Sequence, residues 1–224
     1  MDNRVAFFGN QRCALYSGAN RCILPPYDAR VEYLEFNGTQ WIDTLLYGDI
    51  NTAIECEAIV TNYTKKFPIC GTRNTTANPI AIIYAAISNV RYYIIDFGQY
   101  QDNKLAIRKA DVSDGWFNFY TSKNVRSMQD LTTGIKYENT HICSSISAPT
   151  YTIKIGKTES TFPADYTNMY GKLKFLKIWE GNIIIRNFIP VRVGSTGYLF
   201  DTVTKQLYSN AGTGKFILGP DITI

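Results

Sequence analysis

The chain has 224 residues and a formal net charge of +4, long enough for one β domain of the roughly 200–250-residue kind. Its Lys and Arg are scattered, with no run of five or six like charges, which leaves no nucleic-acid signature. No stretch approaches the eighteen or so consecutive apolar residues of a membrane helix, and Val5-Ala6-Phe7-Phe8 is too short for the apolar part of a secretory leader.

From the N-terminus, residues 1–28 are turn punctuation around short apolar pieces: Gly9-Asn10-Gln11, Ser17-Gly18-Ala19-Asn20 and Leu24-Pro25-Pro26. This is the composition of an arm. Its pieces at 5–8 and 14–16 are each suited to adding a strand to a partner, or the arm covers a sheet of its own domain. The five cysteines, Cys13, Cys22, Cys56, Cys70 and Cys143, form an odd set without an export signal. They read as reduced thiols of a chain made in a cytoplasm, with a Cys13–Cys22 bridge as the alternative.

From Arg30 onward, β-rich runs follow one another between Gly, Asn, Asp, Ser and Pro: 31–36, 41–44, 53–61, 67–71, 80–87, 91–97, 104–107, 116–120, 134–137 and 151–155. Such spacing predicts an all-β sandwich or barrel. In Ile54-Glu55-Cys56-Glu57-Ala58-Ile59 the alternation places carboxylates outward and apolar groups inward. The segment 171–190 predicts a central hairpin turning at Gly181-Asn182. Its first arm slips by one residue near Leu176, as a bulge would. Its second arm, through Ile183-Ile184-Ile185, reads as buried on both sides, and Pro190 as an edge or strand end.

Several of these pieces resemble one family. Tyr33-Leu34-Glu35-Phe36-Asn37-Gly38-Thr39-Gln40-Trp41-Ile42-Asp43-Thr44, Gly71-Thr72-Arg73, the hairpin from Gly171, Gly197-Tyr198-Leu199-Phe200-Asp201 and Gly212-Thr213-Gly214-Lys215-Phe216 are similar to the concanavalin-like, laminin-G-like jelly-roll domains of bacteriophage virion proteins and gut-bacterial surface proteins. The resemblance covers about residues 30–220 and is stronger at the ends than in the middle. It implies an antiparallel two-sheet β-sandwich of jelly-roll type over 29–224, preceded by the arm 1–28. It further implies a non-enzymatic virion component, a head-fibre, decoration or tail-fibre protein. Such a protein would be made in the host cytoplasm, join other virion proteins through the arm, assemble as a homo-oligomer and bind host-surface glycans. The alternatives are a carbohydrate-active enzyme or accessory lectin module, and a prophage-encoded cell-surface adhesin.

The residue chemistry is compatible with binding. Tyr92, Tyr100 and Trp116 offer flat faces for sugar C–H groups, with Asp102 and Asn103 as hydrogen-bonding neighbours; aromatic side chains more often fill a core. For hydrolysis, a retaining glycosidase needs two carboxylates about 5–5.5 Å apart, and only Glu55 with Glu57 share a strand face. The lone histidine, His141, near Cys143, lacks an orienting third group and partners at zinc spacing. No cofactor is expected. Asp111, Ser113 and Asp114, or Asp49 with Asn51, are weak candidates for calcium.

Overall fold

The computed structural model describes residues 4–8, 11–15, 25–73, 80–87, 89–98, 104–147, 150–158 and 166–222, with backbone alone for the first two segments and for 86–87. β1 (Arg4–Phe8) and β2 (Gln11–Leu15) form a hairpin in register from Arg4 opposite Leu15 to Phe8 opposite Gln11. They pair with each other, so within the segment read as an arm the two strands are one ribbon.

The body is all β. Its strands are β3 (Ala29–Val31), β4 (Leu34–Asn37), β5 (Ile42–Tyr47), β6 (Thr52–Val60), β7 (Phe67–Thr72), β8 (Ile80–Ile87), β9 (Val90–Phe97), β10 (Lys104–Arg108), β11 (Phe117–Thr121), β12 (Arg126–Asp130), β13 (Lys136–Asn139), β14 (Thr152–Ile155), β15 (Tyr170–Glu180), β16 (Ile183–Val193), β17 (Thr196–Asp201), β18 (Gln206–Tyr208), β19 (Ile217–Leu218) and β20 (Asp221–Ile222). A single 3-10 turn, Lys109–Asp111, follows β10 among the described residues. The smaller sheet runs β10-β9-β8-β7-β14-β5. The larger runs β13-β12-β11-β6-β15-β16-β17-β18, with β3, β4, β19 and β20 alongside β15 and β16. All ladders are antiparallel, and the two sheets enclose one core: the expected sandwich.

Alternation explains most of the burial. Ile54, Cys56 and Ala58 of β6 and Phe117 and Phe119 of β11 turn into the core from the larger sheet, facing Ile80, Ile82 and Tyr84 of β8 and Tyr93, Ile95 and Phe97 of β9. The central hairpin runs through the larger sheet with its bulge between Leu173 and Phe175 against β6, which accounts for the slipped alternation. On the far side of the smaller sheet Ala81, Ile83, Ala85 and Ile94 form a second buried cluster with Tyr92 and Tyr166. The uniformly apolar run of β8 thus has two faces to bury.

Two expectations about the hairpin are corrected. Ile183 and Ile184 are 70% and 40% exposed, because they sit at the projecting tip rather than between layers. Pro190 is inside β16, paired with Leu199. It falls where β16 has left β15, whose last pair is Leu176 with Phe188, and meets β3 at Val191. A residue with no N–H to donate suits that interval.

The two ends of the body clasp each other. Phe36 packs edge-on against Phe216 at 4.9 Å. The fully buried Gln40 accepts from the Asn37 N–H (2.8 Å) and donates to the Lys215 carbonyl (2.6 Å). Asn210 accepts from the backbone N–H groups of Trp41 and Gly212 (3.1 and 2.9 Å) and donates to the carbonyls of Thr213 and Gly214. Gly38 turns at φ +91°, and a Cβ on Gly212 would meet the Thr39 carbonyl oxygen. Nearby, buried Asp201 accepts from Asn187 N–H, Val203 N–H and the Thr204 hydroxyl (2.9, 3.0 and 2.6 Å), which closes the turn between β17 and β18.

Candidate functional site

At one end of the sandwich the turn after β6, the start of β9 and the loop after β10 border an open, shallow pocket of about 510 Å³. Tyr63, Val90, Arg91, Lys109, Ala110, Val112 and Asp114 line it. Each is brought there by a specific local device. Asn62 accepts from the Thr64 N–H and hydroxyl (3.0 and 2.7 Å), shaping the turn that presents Tyr63. Arg91 donates to the Thr64 carbonyl at 2.8 Å, tying β9 to that turn. Asn89, at φ +67°, makes the tight return from β8 into β9. The loop carrying Val112 and Asp114 is anchored from β12: the Asp130 carboxylate accepts from the Ser113 N–H and hydroxyl, both at 2.8 Å.

Inside the pocket Lys109 is the hub. Its ammonium pairs with Asp114 at 2.7 Å, donates to the Ser113 carbonyl at 2.9 Å and lies 4.9 Å from the centre of the Tyr63 ring. The Lys109 ammonium holds the Asp114 carboxyl below its ordinary value, while burial, reinforced by Asp114, pushes the Tyr63 phenol up. Behind Tyr63 the aromatic layer continues inward through Tyr84 (5.9 Å), Tyr93 (5.2 Å) and Phe117 (4.9 Å). Tyr84 and Tyr93 are fully buried; neither hydroxyl has a close hydrogen-bond partner, that of Tyr93 being turned toward the Tyr63 hydroxyl, and Nη1 of Arg91 is buried and likewise unpartnered. Burial raises both phenols. Leaving a buried polar atom unmet costs about 1–3 kcal/mol, and single unmet atoms also occur at Arg30, Arg126, Thr158 and Arg186.

The sequence-derived candidates lie elsewhere. Tyr92 packs on the outer cluster of the smaller sheet. Trp116 stands on the outer surface of the larger sheet, 6.0 Å from Tyr33 and capped by the Lys174 ammonium at 4.2 Å. The structure therefore does not bring these two rings together. Tyr100, Asp102 and Asn103 lie outside the described residues. Glu55 and Glu57 do share the outer face of β6, where Lys177 and Lys174 pair with them at 3.3 and 2.8 Å. Neither carboxylate lines the pocket. Among the calcium candidates, Asp114 is engaged by Lys109, Ser113 by Asp130, and Asp49 by the Asn51 N–H at 2.7 Å. The described residues contain no group of three or more His, Cys, Asp or Glu placed to hold a metal. His141 is exposed, and Cys143 is buried with its thiol directed to the Ser145 carbonyl. Cys56, Cys70 and Cys143 are free thiols; Cys22 and the side chain of Cys13 lie outside the described residues.

No protein-family model matches the sequence, nor does any curated protein. Solved structures do match. A candidate carbohydrate-binding protein from Bacteroides ovatus aligns with a TM-score of 0.56 and 10% identity over 85% of this chain and 60% of its own, so the chain spans about three fifths of that protein. The heptameric SAP-like pentraxin of Limulus polyphemus aligns with a TM-score of 0.51 and 13% identity over 87% of this chain and 97% of that one. The fold is a concanavalin/laminin-G-like jelly roll. On this jelly roll Tyr63, Arg91, Lys109 and Asp114 went unnoticed in sequence, since they lie in three separate segments without a shared motif. A polar turn at Asn62 and Thr64 beside a tyrosine was the only local signal.

Proposed function

We propose that the chain is a non-enzymatic carbohydrate-binding jelly-roll module whose ligand occupies the pocket of Tyr63, Arg91, Lys109 and Asp114. The observation that carries this reading is the half-buried Tyr63 ring beside a Lys109–Asp114 ion pair. An aromatic face with adjoining charged hydrogen-bonding groups is what a pyranose needs: C–H stacking on one side and directional bonds to its hydroxyls on the other. The fold shared with the Bacteroides ovatus protein supports the same class. Catalysis is disfavoured because the one acid pair on a shared face, Glu55 and Glu57, is tied to lysines away from the pocket. A glycan array followed by calorimetry tests the proposal. Binding to a saccharide that is lost in Tyr63→Ala, with no reducing sugar released, is expected; binding unaffected by that substitution would overturn the site.

The finer role is that of a bacteriophage virion protein, a head-fibre, decoration or tail-fibre component, joined to other virion proteins through residues 1–28 and assembled as a homo-oligomer. The resemblance of the clasped ends and central hairpin supports it. So does the β1–β2 ribbon, because a two-stranded hairpin is at best marginally stable without another surface to pack on. Deleting residues 1–28 is expected to leave the jelly roll folded while abolishing incorporation into particles and lowering the mass measured by light scattering. Normal incorporation of the truncated chain would exclude this role and favour a lectin module or a surface adhesin.

A further inference from the structure

We infer that the ligand of this pocket is an acidic saccharide, with its carboxylate or sulfate set against the Arg91 guanidinium and its ring on Tyr63. The inference rests on the carbohydrate-binding reading and narrows it. Of the three charged groups lining the pocket, two neutralise each other: Lys109 and Asp114 pair at 2.7 Å. Lys109 also directs hydrogen bonds to the carbonyls of Ser113 and Val112. Arg91 is left over. Its bond to the Thr64 carbonyl is to a neutral acceptor, and no carboxylate of the described residues pairs with it.

Arg91 lines the pocket and can only donate hydrogen bonds. The sole carboxylate in the pocket lining, Asp114, is already committed to Lys109. A site whose surplus is donors and positive charge fits a ligand rich in acceptor lone pairs and carrying negative charge. A planar guanidinium recognises a carboxylate or sulfate through paired N–H bonds and discriminates it from a neutral hydroxyl. A neutral sugar would leave the guanidinium charge without a partner.

The test is calorimetry of the full chain with four oligosaccharides of equal length: a uronate, its methyl ester, a sulfated sugar and a neutral one. The uronate or the sulfated sugar is expected to bind about tenfold or more tightly than the ester and the neutral sugar, with affinity falling as salt rises. The two acidic arms tell carboxylate from sulfate. Arg91→Gln, checked for an unchanged unfolding temperature, is expected to level acid and ester, and Arg91→Lys to restore part of the difference. Equal affinity of the unaltered protein for acid and ester overturns the inference but leaves carbohydrate binding standing. Acid-selective binding that survives Arg91→Gln also overturns it. Failure to bind any of these or the arrayed saccharides overturns both readings.

Discussion

The clasp between the chain's two ends and the pocket end of the sandwich are both built from buried polar groups and aromatic rings, yet their hydrogen-bond accounts differ. In the clasp, Gln40 and Asn210 use their amides on both sides, to Asn37 and Lys215 and to Trp41, Gly212, Thr213 and Gly214. At the pocket end, the buried hydroxyls of Tyr84 and Tyr93 and Nη1 of Arg91 have no close hydrogen-bond partner. Satisfied buried polar groups specify a structure; unsatisfied ones cost stability. Arg30, Arg126, Thr158 and Arg186 also carry an unmet buried atom, so the contrast is one of stability between these two regions.

The contrast breaks hardest at Gly212. A Cβ there would lie 2.1 Å from the Thr39 carbonyl oxygen, a backbone atom that cannot rotate away. Gly212→Ala is therefore expected to lower stability by about 3 kcal/mol, read as a fall in the denaturant midpoint, with an unchanged slope if the native fold persists. Next comes Gln40→Ala. It leaves the Asn37 N–H and the Lys215 carbonyl without the buried Gln40 amide and is expected to cost about 1–3 kcal/mol. A loss below about 1 kcal/mol would show that water or a neighbouring group replaces the amide.

The turns that build the clasp were legible in the sequence, because Asn-Gly, Gly-Thr-Gly and flanking aromatic residues are local turn chemistry that any β ribbon needs; that the two ends meet was not. Strand alternation in β4 and β6 was legible for the same reason. The pocket was not, and the cause can be traced to β12. Its Arg126-Ser127-Met128-Gln129-Asp130 has one apolar residue and no hydrophobic alternation, yet Arg126, Ser127 and Asp130 are buried. Arg126 is satisfied in part by the carbonyl of His141 and the amide oxygen of Asn139, and Asp130 by the loop it anchors. A strand buried through polar groups leaves no periodic signal, and this is the strand that holds Asp114 at the pocket. The exposed Ile183 and Ile184 erred in the opposite direction: apolar residues at a projecting hairpin tip resemble a core strand in composition alone.

The opposite end of the sandwich supplies a pH test. Burial pushes Asp96 up to about 6, against the pull of Arg73, Lys104 and Arg126. Because the folded chain holds this proton more tightly than the unfolded one, stability falls as pH rises from about 4 to about 6 and is lower by about 2–3 kcal/mol at neutral pH. Asp96→Asn is expected to remove that part of the pH dependence and to stabilise the protein at pH 7. Denaturant unfolding at pH 4.5 and pH 7 checks it; a variant with the same pH slope as the parent would place the titration on another group.

The smallest effect is the most diagnostic. Tyr84→Phe and Tyr93→Phe each delete a hydroxyl that nothing in the protein satisfies, while keeping the ring and its packing against Tyr63, Phe67 and Phe117. Removing an unmet polar group from a core is expected to change stability by about 0 to 1 kcal/mol in the stabilising direction, a shift resolvable in paired denaturant titrations. Both hydroxyls are fully buried and outside the pocket lining, so ligand affinity is expected to stay unchanged while stability shifts. Phe variants that lose more than about 1 kcal/mol would show that the hydroxyls already have partners, and the pocket end would then be as fully accounted for as the clasp.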